Sequence, residues 1–327
     1  MTKAARHAVV TGATGQIGSY TVERLLADGW RVTALLRPGG RSVVAGGVET
    51  IDVDLLEAQA VDDALIALSP DAIVHLAGTT SVAESWNDPV TVARSVALAT
   101  VGIAHAAARL ARAGAATRLV HASSAEIFGA PTVTPQSEAT RIQPVTPYGA
   151  AKAHAHFAVQ TARSRGVLAS NLVLFNHESP RRPAHFVSRT VSAAVAAIAR
   201  GDVEHVTLGN LEARRDWGWA PDAADAIVAT LALDGADDLV IATGEHHSVL
   251  DLALAAFRSI GVDEAEAHRR IQTDDDRLRP HDAAVLCGDA SRARDVLAWR
   301  PSRDLDGIMA SMVAADQERE SSSNRSR

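Results

Sequence analysis

The apolar positions change period twice before residue 37. Ala8-Val9-Val10-Thr11 is a continuous apolar run suited to a buried strand. Residues 12–18 make a tight glycine turn, and residues 20–28 place Val22, Leu25 and Leu26 on one helical face. Residues 31–36 return to a strand pattern, stopped by Arg37-Pro38-Gly39-Gly40. Further on, the pattern predicts a helix over 61–68, a strand over 72–76 and a long Ala-rich helix over 92–113. It then predicts a strand over 118–122, a helix over 148–165 and a strand over 168–174. This alternation predicts an α/β protein: a Rossmann-type, mainly parallel sheet with helices on both faces.

After Asn176 the rhythm loosens. Residues 177–183 read as a polar loop, 186–200, 250–259 and 292–298 as helices, and 204–208 and 238–242 as short strands. The expected division is a dinucleotide-binding domain from 1–176 with 207–249, and a smaller substrate-binding lobe from 177–206 with 250–313. Residues 317–327, polar and carrying three consecutive serines, read as the core of a disordered tail over 314–327.

A chain of 327 residues with 47% apolar and 22% charged residues is ordinary for a globular protein. The net charge of −7 is mixed along the chain, which argues against nucleic acid as a partner while leaving room for a local arginine cluster. Cys287, the one cysteine, allows no intrachain disulfide, and the 13 histidines show no metal-ligand spacing, so no metal is expected. Met1–Arg6 form no apolar leader and no run of 18 apolar residues occurs; a cytoplasmic protein without a membrane span is the expectation.

The turn Gly12-Ala13-Thr14-Gly15-Gln16-Ile17-Gly18 follows a strand and opens a helix, the setting in which backbone amides hold a pyrophosphate. Gly12 serves the sharp turn, Gly15 lets the backbone approach the phosphates, and Gly18 lets helix and strand pack closely. Thr14, Gln16 and Ile17 join the cofactor candidates. Where an NAD site carries an acid at the end of the second strand, this chain has Arg37, which favours NADP, with NAD as the alternative. Asp54, Leu55, Leu76 and Ala77, after the next two strands, complete the cofactor set.

Ser124 follows a predicted strand, and Tyr148 and Lys152 stand four apart on a helix, so they share a face. The ammonium is expected to lower the phenol pKa, letting Tyr148 take a hydroxyl proton while Ser124 bonds the same oxygen. Glu126, two residues past Ser124, can reach a carbon beside the reacting centre. Once C4 of a hexose is a ketone, the C5 proton is acidic, and a base there can expel the C6 hydroxyl as water.

Several runs carry a resemblance. Thr11-Gly12-Ala13-Thr14-Gly15-Gln16, Leu174-Phe175-Asn176-His177-Glu178-Ser179-Pro180-Arg181-Arg182, Gly209-Asn210-Leu211, Arg215-Asp216-Trp217-Gly218, Ala242-Thr243-Gly244-Glu245, Arg279-Pro280 and Gly288-Asp289 resemble the GDP-mannose 4,6-dehydratases of the extended short-chain dehydrogenase/reductase superfamily. The resemblance implies conversion of GDP-mannose to GDP-4-keto-6-deoxy-mannose and water. It puts Ser124 in the place of a catalytic threonine, with Glu126 as base beside Tyr148 and Lys152. Asn176 would bond the sugar or its phosphates, Arg215 and Arg279 the diphosphate, and Asp282 the ribose; Ser81 and Arg181 join the substrate candidates. A homodimer through the helix of Tyr148 and Lys152 is also implied. The chain departs from the family pattern at Ile17, Pro38, Val96, Pro183-Ala184-His185 and Thr190. A nucleotide-sugar epimerase and a non-catalytic ligand-sensing or scaffold protein are the competing readings.

Overall fold

The computed structural model describes residues 5–39, 46–277 and 283–324. The apolar runs of the first half become strands β1 (His7–Thr11), β2 (Arg31–Leu36), β3 (Glu49–Asp52), β4 (Ala72–His75), β5 (Arg118–Ser124) and β6 (Leu168–Leu174). Helices α1 (Gln16–Ala27), α2 (Ala58–Leu68), α3 (Val82–Asn87), α4 (Pro89–Val92), α5 (Ala99–Arg112) and α6 (Pro147–Arg163) connect them. The second half supplies β7 (Asn176–Glu178), α7 (Val187–Arg200), β8 (Val206–Leu208), β9 (Arg214–Arg215), β10 (Trp217–Trp219), α8 (Ala220–Thr230) and β11 (Leu239–Ile241). The remaining elements are β12 (His247–Ser248), α9 (Val249–Arg258), α10 (Glu264–Arg270), β13 (Ile271–Thr273), β14 (Val285–Leu286), α11 (Ser291–Leu297) and α12 (Leu305–Asn324).

Seven strands form one parallel sheet in the order β11-β6-β5-β4-β1-β2-β3. Fully buried strands need cover on both faces. Val10, Val74 and Val120 meet α1, α8 and α11 on one side, while Val9, Ile73 and Leu119 meet α2, α5 and α6 on the other. The strand order reverses between β1 and β4, so a crevice opens where their carboxyl ends diverge. A further apolar cluster, built from α7, β8, α9 and α12 around Phe257, Ile308 and Met312, lies on the far side of that crevice.

Several expectations are corrected. The tail is not disordered from residue 314: α12 runs through Asn324, because Met309, Met312 and Val313 are buried, Asp316 pairs with Arg189 and bonds Ser192, and no Gly or Pro after Gly307 interrupts the helix. Residues 177–183 are not wholly a loop, since His177 and Glu178 extend Asn176 into β7, paired with β10. The helix predicted over 92–113 begins at Pro89 and passes through a π-helical turn, Ala93–Leu98, so that Arg94 and Ser95 border the crevice. Pro89–Arg112 is long and apolar enough by length and composition to span a bilayer, a test that a core helix also passes; here Ile103, Ala106 and Ala107 are buried against the sheet.

Candidate active site

The crevice is one continuous cleft of about 1580 Å³, larger than the few hundred to one thousand Å³ that a single drug-sized ligand occupies. Its first wall is the glycine turn. Gly12 has φ +69°, and a Cβ there would stand 2.7 Å from Ala77 N; a Cβ on Gly18 would stand 2.0 Å from Gly12 O. These two positions bring the turn against the β4 end and the α1 backbone against the turn. Gly12, Thr14, Gly15, Gln16, Ile17, Gly18, Arg37, Asp54, Leu55, Leu76 and Ala77 all line the cleft, as the sequence predicts.

A buried relay fixes that wall. Thr11 Oγ1 accepts from Leu76 N and Ala77 N at 3.2 Å each, so its hydroxyl proton points to His75 Nδ1, 2.7 Å away. His75 then carries its proton on Nε2, 3.0 Å from Thr100 Oγ1, which donates to Val96 O at 2.6 Å. Burial first, and the Lys152 charge second, push the His75 pKa down to about 3, keeping the ring neutral.

The catalytic wall grows from β5 and α6. Ser124 ends β5 and caps the following short turn, accepting from Glu126 N at 3.3 Å. Thr146 Oγ1 accepts from Gly149 N at 3.0 Å and Pro147 opens α6, so Tyr148 enters the cleft from the first helical turn. Gly149 is required by contact: a Cβ there would lie 2.5 Å from Glu126 O. Tyr148, Lys152, His156 and Gln160 follow at intervals of four along one face of α6. Lys152 Nζ donates to Ala122 O at 2.7 Å, His156 Nδ1 stands 3.0 Å from Ser123 Oγ, and Gln160 donates to Asp238 at 2.7 Å. The side chains set the helix in register against the strand that carries Ser124.

The electrostatics correct one expectation. The Tyr148 phenol pKa is raised, not lowered: burial dominates, the Ser124 hydrogen bond and the Arg182 charge oppose it, and Glu126 adds to it. Lys152 stands over the same ring. Its nitrogen is 6.0 Å from the ring centroid and turned to the Ala122 carbonyl, and burial brings its pKa down to about 8.

The substrate candidates divide. Ser81, Asn176 and Arg215 line the cleft with Ser124 and Glu126. Arg215 is buried and donates to Ala283 O and Arg214 O at 2.7 and 2.8 Å. Arg181 does not line it: its guanidinium lies 4.0 Å over the Tyr20 ring and 2.7 Å from Glu23. The next residue, Arg182, takes the cleft position, stacked 3.7 Å over Phe186 and 3.1 Å from Glu178, whose carboxylate Ser188 also bonds. Arg279 and Asp282 lie outside the described residues. His185, Thr190, Asn210 and Asp276 also line the cleft and were not predicted.

Three of the sequence runs meet at Asp216. Its buried carboxylate accepts from Thr243 N, Thr243 Oγ1, Gly244 N and Gly288 N at 2.7–3.2 Å. It is thus an internal staple, and burial raises its pKa against those donors. Among the described residues no group of three His, Cys, Asp or Glu could hold a metal ion.

A family model described as GDP-mannose 4,6 dehydratase matches residues 9–312. This chain belongs to the GDP-mannose 4,6-dehydratase family. Among relatives, GDP-mannose 4,6 dehydratase 2 of Arabidopsis thaliana is 34% identical, over 95% of this chain and 87% of its own length. GDP-mannose 4,6 dehydratase 2 of Caenorhabditis elegans is 33% identical, over 94% and 88% respectively. Among solved structures, UDP-glucose 4-epimerase of Thermus thermophilus in complex with NAD matches with a TM-score of 0.82 at 26% identity, covering 95% of this chain and 99% of that one. This dehydratase-family chain therefore has an NAD(P)-binding Rossmann fold, and the wall of glycines and strand ends from Gly12 to Ala77 is where a dinucleotide would be held. The run through Arg181-Arg182 was readable as a motif; which arginine faces the cleft was not.

Proposed function

We propose that this protein is a GDP-mannose 4,6-dehydratase, forming GDP-4-keto-6-deoxy-mannose and water. The observation that carries the reading is Glu126 in the same cleft as Ser124 and Tyr148. A C4 epimerase needs a base for the hydroxyl alone; a dehydratase needs a second one for C5, and Glu126 supplies it. When bound, the nicotinamide supplies a hydride acceptor for C4 and a hydride donor for C6. Tyr148 takes the C4 hydroxyl proton, with Ser124 holding that oxygen. Glu126 removes the C5 proton and passes it to the C6 hydroxyl, which leaves as water; once hydride has reached C6, a solvent-derived proton adds at C5 to complete the 4-keto-6-deoxy sugar. Incubation of the protein with GDP-mannose in deuterated water tests this: the product is expected to lack one water and to carry deuterium at C5. A GDP-hexose isomer of unchanged mass would make the protein an epimerase.

Arg37, at the cleft end of β2, supports NADP over NAD, because a guanidinium matches a 2′-phosphate. Arg37→Ala is expected to weaken NADP binding about tenfold or more, the order of a charged hydrogen bond, and to leave NAD binding unchanged. Equal losses for both dinucleotides, read by calorimetry, would remove the preference.

A homodimer belongs to the same reading. Leu98, at the end of the π-helical turn, Val101 on α5 and Phe157 on the neighbouring α6 are 55%, 38% and 49% exposed, apolar side chains that a second copy can cover. Leu98→Glu combined with Phe157→Glu is expected to convert a dimer into a monomer in sedimentation. A wild-type protein that sediments as a monomer at micromolar concentration would refute the dimer.

A further inference from the structure

One side chain joins the cofactor turn to the substrate strand. Gln16, the first residue of α1, is 8% exposed and commits both ends of its amide to a segment 161 residues away in sequence. Its Nε2 donates to His177 O at 2.7 Å, and its Oε1 accepts from Ser179 Oγ at 2.9 Å. Ser179 Oγ also accepts from Arg181 N at 3.1 Å. Outside this buried pair, Arg181 donates to Ser19 Oγ at 3.0 Å and lies over Tyr20, so the segment is fastened to the first turns of α1 at two depths.

The two ends of the bridge serve different ligands. The amides at the start of α1 are where a dinucleotide pyrophosphate is held. His177 belongs to β7, whose first residue, Asn176, lines the substrate side of the cleft and pairs with Trp217, two residues from Arg215. Both bridge partners are almost fully buried, His177 at 2% and Ser179 at 0% exposure, so truncating Gln16 would take a donor from His177 O and an acceptor from the Ser179 hydroxyl, which keeps only its bond from Arg181 N. A rigid, fully bonded amide between two ligand-bearing elements ties the placement of one to the other.

We propose that Gln16 is a positioning residue that couples dinucleotide binding at the glycine turn to sugar-nucleotide binding at β7, each ligand tightening the other. The sequence pattern places Gln16 among the cofactor contacts; its side chain also serves the substrate strand, and its backbone serves the turn. Coupling between binding sites is reciprocal, so either ligand can report it. The inference rests on the dehydratase reading for the identity of the second ligand.

The test is calorimetric titration of the full chain with GDP, first without and then with saturating NADP. The wild type is expected to bind GDP at least about fivefold more tightly with NADP present, the lower end of ordinary coupling. Gln16→Ala is expected to bring the affinity ratio to about one, whatever its affinity for either ligand alone. Ser179→Ala keeps the bond to His177 O and is expected to fall between them. A purely structural role would lower thermal stability and leave the ratio as it was. A wild-type ratio of one with both GDP and UDP, or a wild-type ratio retained in Gln16→Ala, overturns the proposal. If Gln16→Ala does not fold, an unchanged ratio in Ser179→Ala overturns it. Coupling seen with UDP but not GDP would keep the bridge and refute the guanine assignment.

Discussion

Tyr148→Phe will stop the first oxidation. The substitution removes one oxygen and little else, because the ring packs among Val92, Val96, Ala97, Ala151 and Ala155, contacts that phenylalanine keeps. What disappears is the hydroxyl that bonds Ser124 and that, in the proposed mechanism, takes the proton of the C4 hydroxyl. Burial raises the phenol pKa, and the Ser124 hydrogen bond and the Arg182 charge oppose that shift. Turnover is expected to fall about 10²–10⁴-fold, the ordinary worth of a positioned acid–base group. No reduced nicotinamide should appear when the variant is mixed with GDP-mannose in a single turnover, and the thermal midpoint should stay near that of the wild type. Wild-type turnover in this variant would mean that another group takes the proton.

Glu126→Gln separates the second step from the first. Glutamine preserves the shape, and the Glu126 amide still caps onto Ser124, so the wall remains in place. It cannot accept a proton. Oxidation at C4 should therefore proceed, while loss of water slows by about 10²–10⁴-fold. The expected result is accumulation of reduced nicotinamide and keto sugar, with deuterium uptake at C5 suppressed to a similar degree. Removing the carboxylate also removes a charge that opposes phenolate formation, so the oxidation step itself should not slow. Uptake of deuterium at the wild-type rate would show that Glu126 is not the C5 base, and the dehydratase reading would lose its main support.

The two substitutions depend on features with different legibility. The strand–turn–helix opening, the glycine roles and the sharing of one face by Tyr148 and Lys152 follow from local rules of period, sterics and turn geometry. Those rules act over a few residues, so the order of elements, the seat of the dinucleotide and the membership of Ser124 and Glu126 in one site were readable along the chain. The family runs added Asn176 and Arg215, and the cleft contains both.

What only the tertiary structure decided are directions and environments. Arg181 and Arg182 are neighbours of the same type, yet one stacks on α1 and the other enters the cleft, because packing against Tyr20 and Phe186 sorts them. Spacing places an ammonium near a phenol, but Ala122 O draws the Lys152 nitrogen aside and burial sets the sign of the Tyr148 shift. Gln16 lines the cleft beside the glycine turn, and the fold also brings His177 and Ser179 to its side chain from 161 and 163 residues away. The tail gains its helix from partners on α7. In each instance the deciding partner is distant in sequence, and a residue's hydrogen bonds and desolvation exist only once the chain has closed around it.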